Sequence, residues 1–366
     1  MGLRCGIVGL PNVGKSTLFN ALTNAGAEVG NFPFCTIDDN VGIVPIADER
    51  LYKLAELVKP EKITPTFLEV VDIAGLVKGA SEGKGRGNAF LASIREVDLI
   101  LHNVRCFEDD NVMHVEGSTD AMRDIHIIED ELLLKDLETI EKREHKLSAQ
   151  ARSGDKATKD KLEAVSNLRK FIEDGNKAIN FQTDEQSFEV IREMYLLSSI
   201  PVMYVCNVSE GDIADSSNNT EVAKVKEYAE KEGSDVIVLS AQIEAEIAEL
   251  PLDEKKMFLE ELGLQNSGLD RLIKEAYRKL GLITYFTQGP TEVRAWTVKR
   301  DAKAPQAAGV IHSDFERGFI RAETASYKDF IEAKTEVALK EAGKMRSEGK
   351  DYIVKDGDII LFRFNV

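Results

Sequence analysis

Residues 6–17, GIVGLPNVGKST, decide the fold. Gly9 and Gly14 enclose four residues, and Lys15 and Ser16 come next, so every fixed position of the phosphate-loop pattern is filled. The apolar run LRCGIVGL (3–10) precedes it as a strand, and a helical pattern runs from Lys15 to Thr23. In that context glycines let backbone N–H groups crowd round phosphates, and the new helix presents its positive end. Asn12, Val13, Gly14, Lys15, Ser16 and Thr17 are expected to form the cradle. Lys15 would reach the β- and γ-phosphates, and the Ser16 hydroxyl would ligate Mg²⁺.

The next stretches agree in order. Thr36 lies in the turn-rich GNFPFCTIDDN (30–40), where a threonine can swing onto Mg²⁺. Asp72-Ile-Ala-Gly75 ends a strand; Asp72 would hold a magnesium-bound water and the Gly75 N–H would bond the γ-phosphate. LVKGASEGKGRGNAF (76–90) reads as a second switch loop. Switch GTPases often place a water-orienting glutamine after that glycine. Leu76 stands there and cannot orient water. His114, in the loop CFEDDNVMHVEG (106–117) at the carboxyl end of the sheet, is the expected replacement, with Arg86 weaker. Asn12 is a candidate to share K⁺ with the phosphates.

Base choice is read from PVMYVCNV (201–208) and the two residues after it. Guanine-specific relatives carry Asn-Lys-x-Asp at this strand end, where the Asp accepts from guanine N1–H and the 2-amino group. Here the run is Asn207-Val208-Ser209-Glu210. Glu210 is one methylene too long for that paired geometry, and adenine needs no such carboxylate, so ATP is expected over GTP. Asn207 is expected at the base edge, Val208 beside it, and Ser240 closing over the base.

Short apolar strands at 3–10, 66–73, 98–104, 201–208 and 234–240 alternate with helical patterns, which implies an α/β fold with a mostly parallel sheet. Between them, Leu133, Leu137, Ile140, Glu144, Leu147 and Ala151, then Val165, Leu168, Ile172, Gly175 and Ile179, predict two antiparallel helices forming a coiled-coil-like arm. The expected domains are a P-loop nucleotide-binding domain (1–118 and 199–280), an inserted helical hairpin arm (119–198) and a C-terminal α+β domain (281–366). In the last, Asp356-Gly357 between apolar runs predicts a hairpin, and a helical segment is expected from Tyr327 to Met345.

The net charge of −17 argues against coating nucleic acid by bulk charge. It is uneven: 281–366 holds 14 basic and 13 acidic side chains, so the acidic excess lies in the first 280 residues. Lys299, Arg300, Lys303, Arg317 and Arg321 are candidate phosphate contacts there. No apolar run is long enough to span a bilayer, and the four scattered cysteines suit buried free thiols in a reducing compartment. The N-terminal MGLRCGIVGL reads as a strand, not a signal peptide.

GLPNVGKST, NFPFCTID, DIAGLVKGAS, GKGRGN, the NVSE variant and the terminal DGDIILFRFNV together resemble the YchF, or Obg-like ATPase, family over essentially the whole chain. That resemblance implies a β-grasp TGS fold for the C-terminal domain and ATP binding with slow, Mg²⁺-dependent hydrolysis. It also implies association with the ribosome (large or small subunit) as a switch in translation or stress response, RNA contact through the TGS domain, and a cytoplasmic monomer. Two alternatives stand beside it: a ribosome- or RNA-binding module in which nucleotide only orders the docking surface, and a GTPase.

Overall fold

The computed structural model describes residues 3–27, 40–73, 86–109, 112, 114–152 and 155–365; of 25–27, 86–89, 252 and 253 only the backbone is described. Along the chain run β1 (Arg4–Val8), α1 (Lys15–Ala27), β2 (Val41–Pro45), α2 (Glu49–Val58), β3 (Lys62–Thr64), β4 (Phe67–Asp72), α3 (Arg86–Ile94) and β5 (Leu99–Arg105). Next come α4 (Ala121–Ala151), α5 (Lys156–Glu173), α6 (Glu185–Arg192), β6 (Val202–Asn207), α7 (Thr220–Glu232), β7 (Asp235–Leu239), α8 (Ala241–Glu249), α9 (Leu252–Glu261) and α10 (Gly268–Lys279). The C-terminal elements are β8 (Leu282–Gln288), β9 (Glu292–Lys299), α11 (Ala304–Ile311), α12 (Ser313–Arg317), β10 (Phe319–Ser326), α13 (Tyr327–Ala333), α14 (Glu336–Glu341), β11 (Arg346–Glu348) and β12 (Asp358–Phe364).

The chain divides into two compact units. The larger holds Leu3–Gly42 and Glu69–Leu272. The smaller holds Ile43–Leu68 with Ile273–Val366, so α2 and β3 belong with the C-terminal elements, and β3 pairs parallel to β9 through Lys62–Glu292 and Thr64–Arg294.

The first sheet runs β2-β4-β1-β5-β6-β7. The pairs β1–β4, β1–β5, β5–β6 and β6–β7 are all parallel. All seven residues of β5 are buried, as a strand covered on both faces requires. The parallel strands point their carboxyl ends one way, and the loops after β1, β5, β6 and β7 meet there.

The helical insertion is one 31-residue helix, α4, with α5 folded back on it. Ile128 and Leu132 of α4 pack on the sheet, and its second half joins Leu133, Ile140 and Leu147 to Val165, Leu168 and Ile172. Glu144, the polar position in the seam, accepts from Ser166 Oγ at 2.5 Å and from Arg169 at 3.1 Å. Asp155 starts α5 by accepting from Thr158 N. The expected second helix through Ile179 stops short at Glu173. Gly175 is left-handed (φ 84°), and Gly175 N and Asn176 N return to the carbonyls of Ile172 and Phe171, an ending only glycine forms cheaply. Asp136, fully buried in α4, fixes the return to the sheet by accepting from Leu197 N, Ser198 N and Ser198 Oγ at 2.6–2.8 Å.

The second sheet runs β11-β10-β12-β8-β9-β3. Two expectations change here. The Asp356-Gly357 turn does not make a hairpin: β12 pairs antiparallel with β10 and parallel with β8, which occupies both its edges, and the preceding run contributes only the Lys303–Ile353 bridge. The 327–345 helix is two helices, broken at Lys334 (φ 63°). Among the described residues no helix is long and apolar enough to cross a membrane.

Candidate functional site

A cleft of about 560 Å³ opens at the carboxyl end of the first sheet. Asn12, Gly14, Lys15, Ser16 and Thr17 line one part; Asn207, Val208, Ser209, Glu210, Ser240, Ala241, Gln242 and Ile243 line another; Phe107, Glu108, Asp109 and Val112 close it. Of the expected cradle, only Val13 is absent from the lining; its side chain is in the core beneath.

The two motif glycines are demanded by geometry. A Cβ on Gly9 would sit 2.5 Å from the Asn103 carbonyl oxygen. Gly14 has φ 93°, and a Cβ there would lie 2.4 Å from Asn207 Nδ2. Asn12 is also left-handed (φ 64°), a conformation asparagine tolerates. Lys15 is buried, with Nζ donating to Leu10 O at 3.0 Å, so the loop folds over its own ammonium. Burial lowers the Lys15 pKa, and Asp72 opposes that shift.

Ser16 Oγ donates to Asp72 Oδ2 at 3.3 Å, which brings two of the three expected magnesium residues together. Asp72 Oδ1 is buried and has no partner among the described residues. Burial raises the Asp72 carboxyl, opposed by Lys15 and then Ser16. A hydroxyl beside a half-satisfied carboxylate, at the phosphate end of the cleft, is a donor set that fits a hard divalent cation. Thr36, Gly75, Leu76 and the side chain of Arg86 lie outside the described residues.

Asn207 stands differently from the sequence expectation. It is 4% exposed; Nδ2 donates to Val13 O at 2.9 Å and Oδ1 accepts from Ala241 N at 2.9 Å. It ties the phosphate loop to the start of α8, whose flanking Ser240 makes no side-chain cap bond. Asn103 of β5 donates to the same Val13 oxygen at 3.2 Å. Val208 is buried and its N–H returns to Leu239 O, while Glu210 opens an exposed 3₁₀ turn at the cleft rim.

His114 is the main departure. It does not line the cleft. Its ring is buried, with Nε2 2.7 Å from Asp124 Oδ2 and Nδ1 accepting from Glu116 N at 3.1 Å. Both nitrogens are engaged, so in this conformation it has no lone pair for a water. Helix α4 carries Asp124 in its first turn, which the sequence reading did not connect to His114.

Sequence reasoning also passed over Phe107, Glu108, Asp109 and Val112. Buried Arg105 braces their segment, donating to the carbonyls of Phe107, Asp109 and Val112 at 2.9–3.2 Å and lying 4.7 Å from the Phe107 ring centroid. The available signal was position, since a loop leaving the carboxyl end of a parallel strand meets ligand. Asn103, polar inside an apolar strand, was a second signal.

The basic residues of the smaller unit do not gather. Lys299 pairs with Leu282 at the start of β8; Phe319 pairs with Phe364 at the end of β12, which is parallel to β8. Lys299 and Arg300 are therefore at one end of the sheet and Arg317 and Arg321 at the other. Lys303, Arg317 and Arg321 are ion-paired with Asp351, Asp314 and Glu323.

Comparison with known proteins bears on this geometry. Residues 4–140 match a family described as "50S ribosome-binding GTPase", and residues 282–365 match the YchF GTPase C-terminal family, described as a protein of unknown function. A Bacillus subtilis protein named ribosome-binding ATPase YchF is 57% identical over 366 residues, covering all of both chains. The Escherichia coli O157:H7 protein of the same name is 53% identical over 368 residues, again covering both fully. A solved structure titled as the Schizosaccharomyces pombe YchF GTPase is 40% identical, covers 99% of this chain and 98% of its own, and superposes with a TM-score of 0.90. With full-length identity at that level and both ends matched by family profiles, the chain belongs to the YchF family.

Proposed function

We propose that this protein is a ribosome-associated, magnesium-dependent ATP hydrolase that works as a slow nucleotide switch. The observation that carries the choice of nucleotide is the base side of the cleft. Where a guanine reader has its lysine the chain has Val208, packed into the core, and where it needs a fixed carboxylate the chain has Glu210, out on an exposed turn. Adenine loses nothing there, whereas guanine's N1–H and amino group go unpaired. The names of the relatives divide on this point, ATPase for the bacterial proteins and GTPase for the fission-yeast structure.

In this reading the amides of Asn12–Thr17 and the α1 N-terminus hold the phosphates, and Lys15 turns from Leu10 O to the phosphate oxygens. Ser16 and Asp72, with Thr36, would hold Mg²⁺, which when bound would neutralise charge on the phosphates. The Gly75 N–H would bond the γ-phosphate. Val208 and Ser240 flank the base, and Glu210 rims it. Asn12 would be the residue to share K⁺ with the phosphates. His114 orients the attacking water once its ring leaves Asp124; with Leu76 in the usual glutamine position, turnover is slow. The unit ending the chain contacts ribosomal RNA through Lys299 and Arg300, which carry no ion pair among the described residues. The protein acts as a cytoplasmic monomer.

The test is competition. ATP should displace a fluorescent ATP analogue at least tenfold more effectively than GTP in the presence of Mg²⁺. Equal displacement would make the protein a GTPase or an unselective NTPase. Stimulation of ATP hydrolysis by ribosomes supports the switch; retention on ribosomes without stimulation supports a docking module.

A further inference from the structure

We propose that Phe188 and Tyr195, on α6 and in the turn that follows it, form a docking site for a lysine- and arginine-rich segment of a partner protein. Tyr195 is 76% exposed and Phe188 52%. Among the described residues neither ring has a ring contact, and the Tyr195 hydroxyl has no hydrogen bond. The Tyr195 backbone is left-handed (φ 48°), which is costly for a bulky side chain and cheap for glycine. The fold therefore holds a strained aromatic at a position where it gains no packing from the ring.

The flanking residues enforce that strain. Met194 and Leu196, on either side of Tyr195, are both buried in the core of the arm. Glu193 is paired with Arg143 at 2.8 Å, and Asp136 takes the N–H groups of Leu197 and Ser198. Met194 N and Tyr195 N donate to the carbonyls of Ile191 and Arg192, so a tight turn continues α6 as far as Tyr195. Phe188 lies seven residues earlier, about two turns, and so on the same side of the helix. Both rings are fixed before any partner arrives, which lowers the ordering cost of binding.

Charge selects the occupant. From Asp184 to Tyr195 the chain has four acids and one base, Arg192. Glu185 and Glu189, exposed on either side of Phe188, carry no ion pair among the described residues. Carboxylates there repel a phosphate backbone, so nucleic acid is disfavoured. A basic polypeptide fits: a guanidinium or ammonium lies on the Tyr195 face, its alkyl stem covers Phe188, and Glu185 and Glu189 take neighbouring charges. The site is separate from the nucleotide cleft and does not depend on which base that cleft reads.

The experiment measures fluorescence anisotropy of a labelled ten-residue peptide of alternating lysine and arginine, titrated with the full chain at about 0.15 M salt. Wild type is compared with Phe188→Ser, Tyr195→Gly and the double variant. None of these changes the net charge, so binding through bulk charge is the same in all. The double variant should bind about tenfold more weakly. Tyr52→Ser, which removes another exposed aromatic, should bind as wild type does. Tyr195→Gly should unfold at the same or higher urea concentration, because glycine relieves the left-handed backbone. If it does not fold, Tyr195→Asn takes its place. Undiminished peptide affinity in the double variant, or an equal loss in Tyr52→Ser, overturns the proposal. So does a lower urea midpoint for Tyr195→Gly, which would make the ring a packing element. A labelled single-stranded RNA that loses affinity in the double variant while the peptide does not would likewise overturn it.

Discussion

Replacing Asn207 by alanine separates two roles that the sequence cannot tell apart. If Asn207 mainly reads the base, the change weakens ATP alone. The structure predicts otherwise, because both ends of its amide are spent on backbone. Removing Oδ1 leaves Ala241 N–H buried without a partner, which costs about 1–3 kcal/mol. Removing Nδ2 takes one of two donors from Val13 O; Asn103 keeps the other, so that loss is about 1 kcal/mol. The sum is about 3 kcal/mol of local stability, roughly a 150-fold rise in opening of the loop and α8 start. Hydrogen exchange at the amides of β6 and α8 measures this directly; Trp296 fluorescence does not, since that residue belongs to the smaller unit. Loosening the cradle should weaken inorganic tripolyphosphate and ATP alike, each by about tenfold or more. Asn207→Asp, which keeps the acceptor for Ala241 but turns an oxygen on the Val13 carbonyl, should weaken tripolyphosphate as well. Unchanged exchange, with full tripolyphosphate affinity and selective loss of ATP, would refute the clamp and return Asn207 to the base edge.

Other variants and conditions probe neighbouring parts of the molecule. Lys177 bridges Glu129 at 2.6 Å and Glu232 at 2.7 Å, with Tyr204 Oη bonded to both acids. Lys177→Met leaves two mostly buried carboxylates without their cation and should cost about 3–5 kcal/mol in urea unfolding of the larger unit. Lys15 has its pKa lowered below the ordinary 10.5 by burial, and a bound triphosphate would raise it again. Between those two values binding takes up a proton, so ATP affinity should fall as pH rises through the free-protein value, and calorimetry in buffers of different ionisation enthalpy should register the uptake. Asp72→Ala should weaken ATP in Mg²⁺ about tenfold or more and leave magnesium-free binding nearly unchanged; equal loss in both would remove Asp72 from the metal site. Gly14→Ala meets both a left-handed φ and Asn207 Nδ2, and should abolish high-affinity ATP binding in a titration.

Much of this protein is local and therefore legible in the chain. The phosphate loop is contiguous, its glycines are set by backbone geometry over a few residues, and the parallel strands announce themselves as apolar runs of strand length. The seam of α4 and α5 is likewise a periodicity, although the Gly175 ending shortened the second helix. What required the folded molecule was every pairing between distant residues. Asn207 meets Val13 across 194 positions, and β3 joins a sheet whose other strands lie more than 200 residues later. The apolar run before Asp356-Gly357 makes no hairpin with β12 because better edges, supplied by β8 and β10, are already there. His114 shows the division most clearly. The chain identified a titratable side chain at the right end of the sheet, but the side chain's direction was decided by a carboxylate mounted on α4, whose Oδ2 lies 2.7 Å from the ring.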